Sequence, residues 1–161
     1  MAGFRGHLRG GAVAAALMTG MMVWHNSAVS VEMLPSVGVL TGAAMFGSLL
    51  PDIDHPKSFL GSRMKIVSKP AYKLFGHRTI THSLFFIGAL TYWLYRSEMP
   101  FAALGLCSGM LSHIILDLLC LNSGVAFLYP IYPRRIYLNI GVYIMRGCKK
   151  YLRKSKKRKR K

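Results

Sequence analysis

Apolar residues gather in four blocks along the chain, separated by short polar stretches. The first runs from Gly11 to about Val29, the second from Leu34 to Leu50, the third from Ser83 to Tyr95 and the fourth from Pro100 to Leu121. A helix crossing bilayer hydrocarbon needs roughly 20 apolar residues, about 17 at the lower limit. The first and fourth blocks are near that length, the second is borderline and the third is short. Gly and Ala recur in all four, as close helix packing in lipid allows. Pro35 and Pro100 stand near the starts of the second and fourth blocks, where proline fits a first helical turn. The pattern predicts an all-α fold, a small membrane bundle of about four helices, with no internal repeat.

Charge tests this reading independently. Hydrophobic residues make up 52% of the chain and mean hydropathy is +0.32, yet the formal net charge is +17. The two facts agree because the charge is segregated. Ten of the 22 basic residues lie between Lys149 and Lys161. Such a run cannot pack into a core. The chain therefore divides into a helical membrane domain, 1–148, and a disordered basic tail, 149–161, that stays in water or meets anionic lipid or nucleic acid. If all four blocks cross, Arg5, Arg9, the basic residues from Lys57 to Arg78 and those from Arg134 onward share one side, leaving only Arg96 opposite. The positive-inside rule then places the N-terminus, the 51–82 loop and the tail in the cytoplasm of an inner-membrane protein. A competing reading makes residues 1–30 a cleaved leader ending at Ala28-Val29-Ser30, which would remove His7. The long apolar run and the His25-Asn26 approach argue against it.

Residues 122–145 add one more feature. Tyr129-Pro130-Ile131-Tyr132-Pro133-Arg134-Arg135 is aromatic, proline-broken and basic, and suits the headgroup region. Ile136 to Met145 is too short to cross. Cys107, Cys120 and Cys148 form no CxxC pair, so neither a disulfide framework nor a thiolate metal site is expected.

The chemistry lies in three short clusters and one isolated residue. Asp52, Asp54 and His55 follow the second block. His77, Arg78 and His82 precede the third. His113 and Asp117 lie within the fourth, and His7 precedes the first. On the topology above every one of them falls at one membrane face; His25 falls at the opposite end and reads as an interfacial side chain. His113 and Asp117, spaced i, i+4, share a helix face with Cβ atoms about 6 Å apart. An ionisable pair inside an apolar span is costly and points to function, although a His–Asp hydrogen bond fixing helix packing would use the same residues. Asp52 and Asp54 alternate between Pro51 and Pro56. One carboxylate could bridge two metals while the other orients a histidine or activates water; Asx-turn capping accounts for one aspartate but not the pair. His77 and His82 are poorly aligned if helical, so a turn is expected between them, with Thr79 or Thr81 capping the next helix. Arg78 is a candidate clamp for phosphate oxygens, or a topology-setting cation. Imidazole and oxygen ligands without cysteine suit zinc, iron or manganese, and zinc is the default for hydrolysis.

These residues carry a family resemblance. His7, Leu50-Pro51-Asp52-Ile53-Asp54-His55-Pro56 with Gly61, His77-Arg78 with Thr81-His82-Ser83, Ser112-His113 with Asp117, Gly124 and Tyr129-Pro130 resemble the YdjM-like family of inner-membrane metal-dependent hydrolases. Thr79 stands where members often carry glycine. The family is regarded as distantly similar to zinc-dependent phospholipase C and single-strand nucleases. The resemblance implies His7, Asp52, His82, His113 and Asp117 as ligands, and His77, Asp54 and His55 as ligands or as groups that orient them. The leading expectation is a metal-dependent hydrolase acting on a phosphoester, such as a lipid headgroup, with Asp54 as general base and Arg78 assisting. The alternatives are a non-catalytic metal-binding membrane protein and an adaptor using its basic tail.

Overall fold

The structure, a computed structural model, describes residues 3–26, 30–120 and 124–136. It contains five α-helices: α1 Phe4–Asn26, α2 Leu34–Gly47, α3 Lys65–Phe75, α4 Leu84–Arg96 and α5 Pro100–Cys120. Four of them are the expected apolar blocks. The additional one, α3, lies in the 51–82 loop, where Lys65, Lys69 and Lys73 stand at every fourth position. The tail 149–161, Cys148 and the stretch beyond Ile136 lie outside the described residues.

Among the described residues, two stretches are long and apolar enough to cross a bilayer, Val31–Asp54 and Pro100–Leu119. The second block thus exceeds its borderline estimate, because 3-10 turns at Val31–Met33 and Leu50–Asp54 extend α2 at both ends. Helix α1 has the length, 23 residues, but Arg5, His7 and Arg9 fill its first turns. Helix α4, with 13 residues, is only ~20 Å long at about 1.5 Å per residue.

Helix α5 is central, packing on α2, α1 and α4. Its contact with α2 is a ladder of small residues. A Cβ on Gly105 would strike the Leu40 carbonyl, and one on Gly109 the Ala44 carbonyl. Both pairs share the offset of 65 residues that also separates Ser48 from His113. The two helices therefore run in the same direction and in register, their backbones brought together by glycine. In lipid such close packing takes over the role that water exclusion plays elsewhere. On the other side of α5, Leu106, Met110 and Ile114 form an apolar cluster with Ile87 of α4 and Val125. Ala15 of α1 closes against Leu40 and Ala44.

Helix α4 is capped by Ser83, whose Oγ accepts the Phe86 N–H at 3.1 Å. This corrects the expectation of a Thr79 or Thr81 cap. The helix starts at Leu84, so Ser83 holds the N-cap position, and the threonines are engaged elsewhere. After α5, residues 124–136 form a loop closed by an antiparallel bridge between Val125 and Ile136. The loop returns to the bundle: Phe127 C=O accepts from Leu84 N–H at 2.8 Å, and Ala126 N–H donates to Arg78 C=O at 3.1 Å. The aromatic, proline-broken segment expected at the headgroups belongs to a loop that clamps the His77–Arg78 turn.

Candidate metal centre

The ladder between α2 and α5 leads straight into a polar end. One face of α5 steps by fours through Gly105, Gly109, His113 and Asp117; the facing side of α2 and its extension steps through Leu40, Ala44, Ser48 and Asp52. The third rung puts the Ser48 carbonyl 2.7 Å from His113 Nδ1. A carbonyl can only accept, so Nδ1 carries the proton and Nε2 is left with its lone pair. That nitrogen lies 3.7 Å from Asp52 Oδ1 and 3.7 Å from Asp117 Oδ2.

Histidines from three other places complete the group. His7 in the first turn of α1 stacks on His113 at 3.7 Å between ring centroids, with Nε2 3.5 Å from Asp117 Oδ1. His82 ends a 3-10 turn, Ile80–His82, the opening expected between the two loop histidines. Its Nε2 is 3.7 Å from Asp117 Oδ2. His77 meets His82 edge to face at 5.5 Å. His7, His82, His113, Asp54 and Asp117 are buried almost completely. His25 is exposed at the far end of α1.

Three overlapping groups place a ligand atom from each member within 4.8 Å of the others: His7, Asp52 and His113; Asp52, His77 and His82; and His82, His113 and Asp117. The Nε2 atoms of His82 and His113 are buried without a hydrogen-bond partner. Leaving such groups unsatisfied is costly, and a cation between them and the carboxylates removes the cost. Two ligands each about 2.0–2.1 Å from zinc stand roughly 3.4 Å apart at a tetrahedral angle, close to the separations above. The donor set fits a divalent metal, and these buried His/Asp groups could hold one.

Asp54 has a different environment. It is fully buried. Its Oδ1 accepts from His77 Nδ1 at 2.8 Å, and its Oδ2 accepts from the Arg78 backbone N–H at 3.1 Å and Thr81 Oγ1 at 2.7 Å. Because the Thr81 hydroxyl donates to Asp54, its oxygen accepts from His82 Nδ1 at 3.1 Å. One carboxylate therefore sets the tautomer and direction of two imidazoles, one directly and one through Thr81. Arg78 adopts the left-handed conformation, φ 66°, sparsely populated for a side-chain-bearing residue. Its backbone N–H meets Asp54 while its Nε–H donates to Asp117 Oδ2 at 3.1 Å. At 7% exposure its side chain lies buried beside Asp117 rather than on the surface. His55 belongs to none of the three groups; it stacks on His77 at 4.6 Å.

Burial, reinforced by His113, holds the His82 imidazole well below the usual histidine range. Burial and then His77 lower His55 as well. Both rings are accordingly neutral at pH 7, the state a ligand or a proton acceptor needs. A cavity of about 270 Å³ opens on the cluster, lined by His7, Asp52, His77 and Arg78, with Phe4 and Phe59 on its apolar side. Those two rings stack at 4.1 Å. Asp52 is oriented from behind by its own loop, where Ser58 Oγ donates to the Asp52 carbonyl at 2.6 Å and Gly61 N–H to Ser58 Oγ at 2.9 Å.

Sequence reasoning missed Ser48, Thr81 as a relay, and the 124–136 clamp. Only the first left a signal: the four-residue step through Gly105, Gly109, His113 and Asp117 implies a partner helix in register.

The chain aligns with the Escherichia coli (strain K12) inner membrane protein YdjM at 50% identity over 94 residues, 55% of this chain and 47% of that protein. The Shigella flexneri protein of the same name matches equally. Uncharacterized protein YvsG of Bacillus subtilis (strain 168) is 37% identical over 94 residues, 57% of this chain and 58% of that one. The chain thus spans about half the length of these curated relatives. No solved structure matches. The family model described as YdjM inner membrane protein matches residues 1–156, and the chain belongs to that family.

Proposed function

We propose that the protein is a membrane-bound, metal-dependent hydrolase of a phosphoester, acting at the cytoplasmic face, with zinc as its metal and a lipid headgroup as the leading substrate class. The observation that carries this reading is the pair of buried, unpartnered Nε2 atoms on His82 and His113 beside carboxylates and an open cavity of about 270 Å³. A structural metal site is closed; a catalytic one keeps an opening. The more distant likeness to zinc-dependent phospholipase C and single-strand nucleases belongs to the same proposal.

The three ligand groups cannot all be filled together. An imidazole with Nδ1 committed to hydrogen bonding offers one nitrogen, so His82 and His113 each serve one ion. Asp52 is the member common to the first two groups, and a carboxylate has two oxygens. The reading is therefore two ions, one held by His7 and His113, the other by His77 and His82, with Asp52 shared and Asp117 beside them. When bound, the metal supplies Lewis acidity toward a phosphoryl oxygen and lowers the pKa of bound water to about 7. Arg78, held by Asp117 at the cavity wall, neutralises charge on phosphate oxygens. Asp54, expected as the base, is enclosed by three donors; its proposed role becomes orientation of His77 and His82. His55 lines the cavity outside the ligand groups, with Nδ1 unpartnered, and takes the role of proton acceptor.

Elemental analysis of detergent-purified wild type, His113→Ala and Asp52→Ala tests the site. Wild type should carry close to two zinc ions and the variants markedly fewer; equal content in all three removes the metal reading. A screen of metal-replete wild type against phosphodiesters and phosphomonoesters tests the chemistry. No turnover would leave a metal site and remove the hydrolase. Deleting residues 149–161 should leave turnover intact while weakening any contact with anionic lipid or nucleic acid.

A further inference from the structure

Helix α3 is unlike the rest of the bundle. Its main packing partner is the Leu50–Asp54 turn, and its one buried residue, Ser68, anchors it through Oγ to the Gly61 carbonyl at 2.8 Å. Its remaining surface is sorted into rows. Lys65, Lys69 and Lys73, four apart, form one row. Ile66, Pro70 and Leu74, at the same spacing, form the row beside it. All six are exposed, Ile66 by 92% and Leu74 by 73%. Contiguous apolar surface so open to water marks an interaction site. A lysine row along its edge is the pattern of a helix lying in a membrane interface, where lysine stems cover apolar surface and the ammonium groups stay at the phosphates.

Charge specifies the partner. No acidic residue occurs between Asp54 and Glu98, while Lys57 and Arg63 add to the three helix lysines. Position agrees: the ten-residue loop 55–64 connects α3 to the end of the Val31–Asp54 span, at the end of the bundle where the His/Asp groups gather. We propose that α3 lies in the plane of the membrane surface and binds an anionic phospholipid leaflet, with Ile66 and Leu74 at the acyl boundary and Lys65, Lys69 and Lys73 at lipid phosphates. This anchor does not depend on the hydrolase reading.

The test labels the intact chain, its native cysteines replaced by serine, with an environment-sensitive fluorophore at Ile66→Cys, Leu74→Cys or Lys69→Cys. Each is reconstituted into vesicles of phosphatidylglycerol mixed with phosphatidylcholine, or of phosphatidylcholine alone. In the anionic vesicles, labels at 66 and 74 should be quenched by nitroxide-bearing lipid and protected from acrylamide about fivefold relative to 69, as an interfacial helix requires. Reversing the three lysines to glutamate should abolish most of that protection. Equal acrylamide access at 66, 74 and 69 overturns the proposal. So does protection that is identical in phosphatidylcholine alone, or that appears only at high protein-to-lipid ratio, where a second copy covers the face.

Discussion

The α2–α5 seam and the polar end that continues it are built on the same register by opposite means. In the seam, glycine removes side chains until one helix meets the other's carbonyls, and nothing buried is left wanting a partner. One rung further, at Ser48 and His113, the same spacing delivers imidazoles and carboxylates into a region as deeply buried as the seam. Burying polar groups costs stability unless every one is satisfied, and here the ring nitrogens His55 Nδ1, His82 Nε2 and His113 Nε2 have no hydrogen-bond partner. The seam holds the fold unconditionally. The polar end has the donor set that a cation would complete, and its geometry is borrowed from the ladder below it.

That contrast is easiest to break in the seam. Gly109→Leu drives a side chain into the Ala44 carbonyl and should cost about 3 kcal/mol or more, read as a large fall in thermal unfolding temperature in detergent with metal lost as a consequence. A variant that unfolds like wild type would deny the seam its role. Stripping metal with a chelator comes next. Wild type should lose about 2.7 kcal/mol where free metal had stood at 100 times its Kd, whereas His113→Ala should show no chelator-dependent shift. Thr81→Val interrupts the relay from Asp54 to His82. It should weaken metal affinity 10- to 100-fold in a competition titration and leave the metal-free unfolding temperature close to wild type; a loss of fold would mean the relay belongs to the scaffold. The smallest effect is expected from Ser83→Ala, about 1 kcal/mol from the α4 cap, with no change in bound metal.

Much of this arrangement was legible in the chain. The apolar blocks located four helices because spacing and length are local properties. Convergence of His7, Asp52, His82, His113 and Asp117 followed from counting crossings and charges. What did not show was whatever depends on tertiary register. Nothing in the sequence said that Ser48 would offer its backbone carbonyl rather than its hydroxyl. Asp52 and Asp54 look equivalent two residues apart, and only the fold turns one toward the cavity and encloses the other among three donors. Thr81 read as a cap because Ser83, two residues later, competes for the same position. Helix α3 escaped notice because its apolar row is short and is interrupted by Pro70.

The loop after α5 has a consequence for how the protein is made. The carbonyl of Arg78 is held by Ala126, and that of His77 by Arg135 Nη2 at 3.2 Å, so the turn presenting His77 is fastened by residues that leave the ribosome after all five described helices. A nascent chain halted at the end of α5 would have α1 to α5 and all eight imidazole and carboxylate candidates, but neither Ala126 nor Arg135 to fasten the His77–Arg78 turn. Fastening of the turn that presents His77 thus waits for the 124–136 loop rather than for the helices.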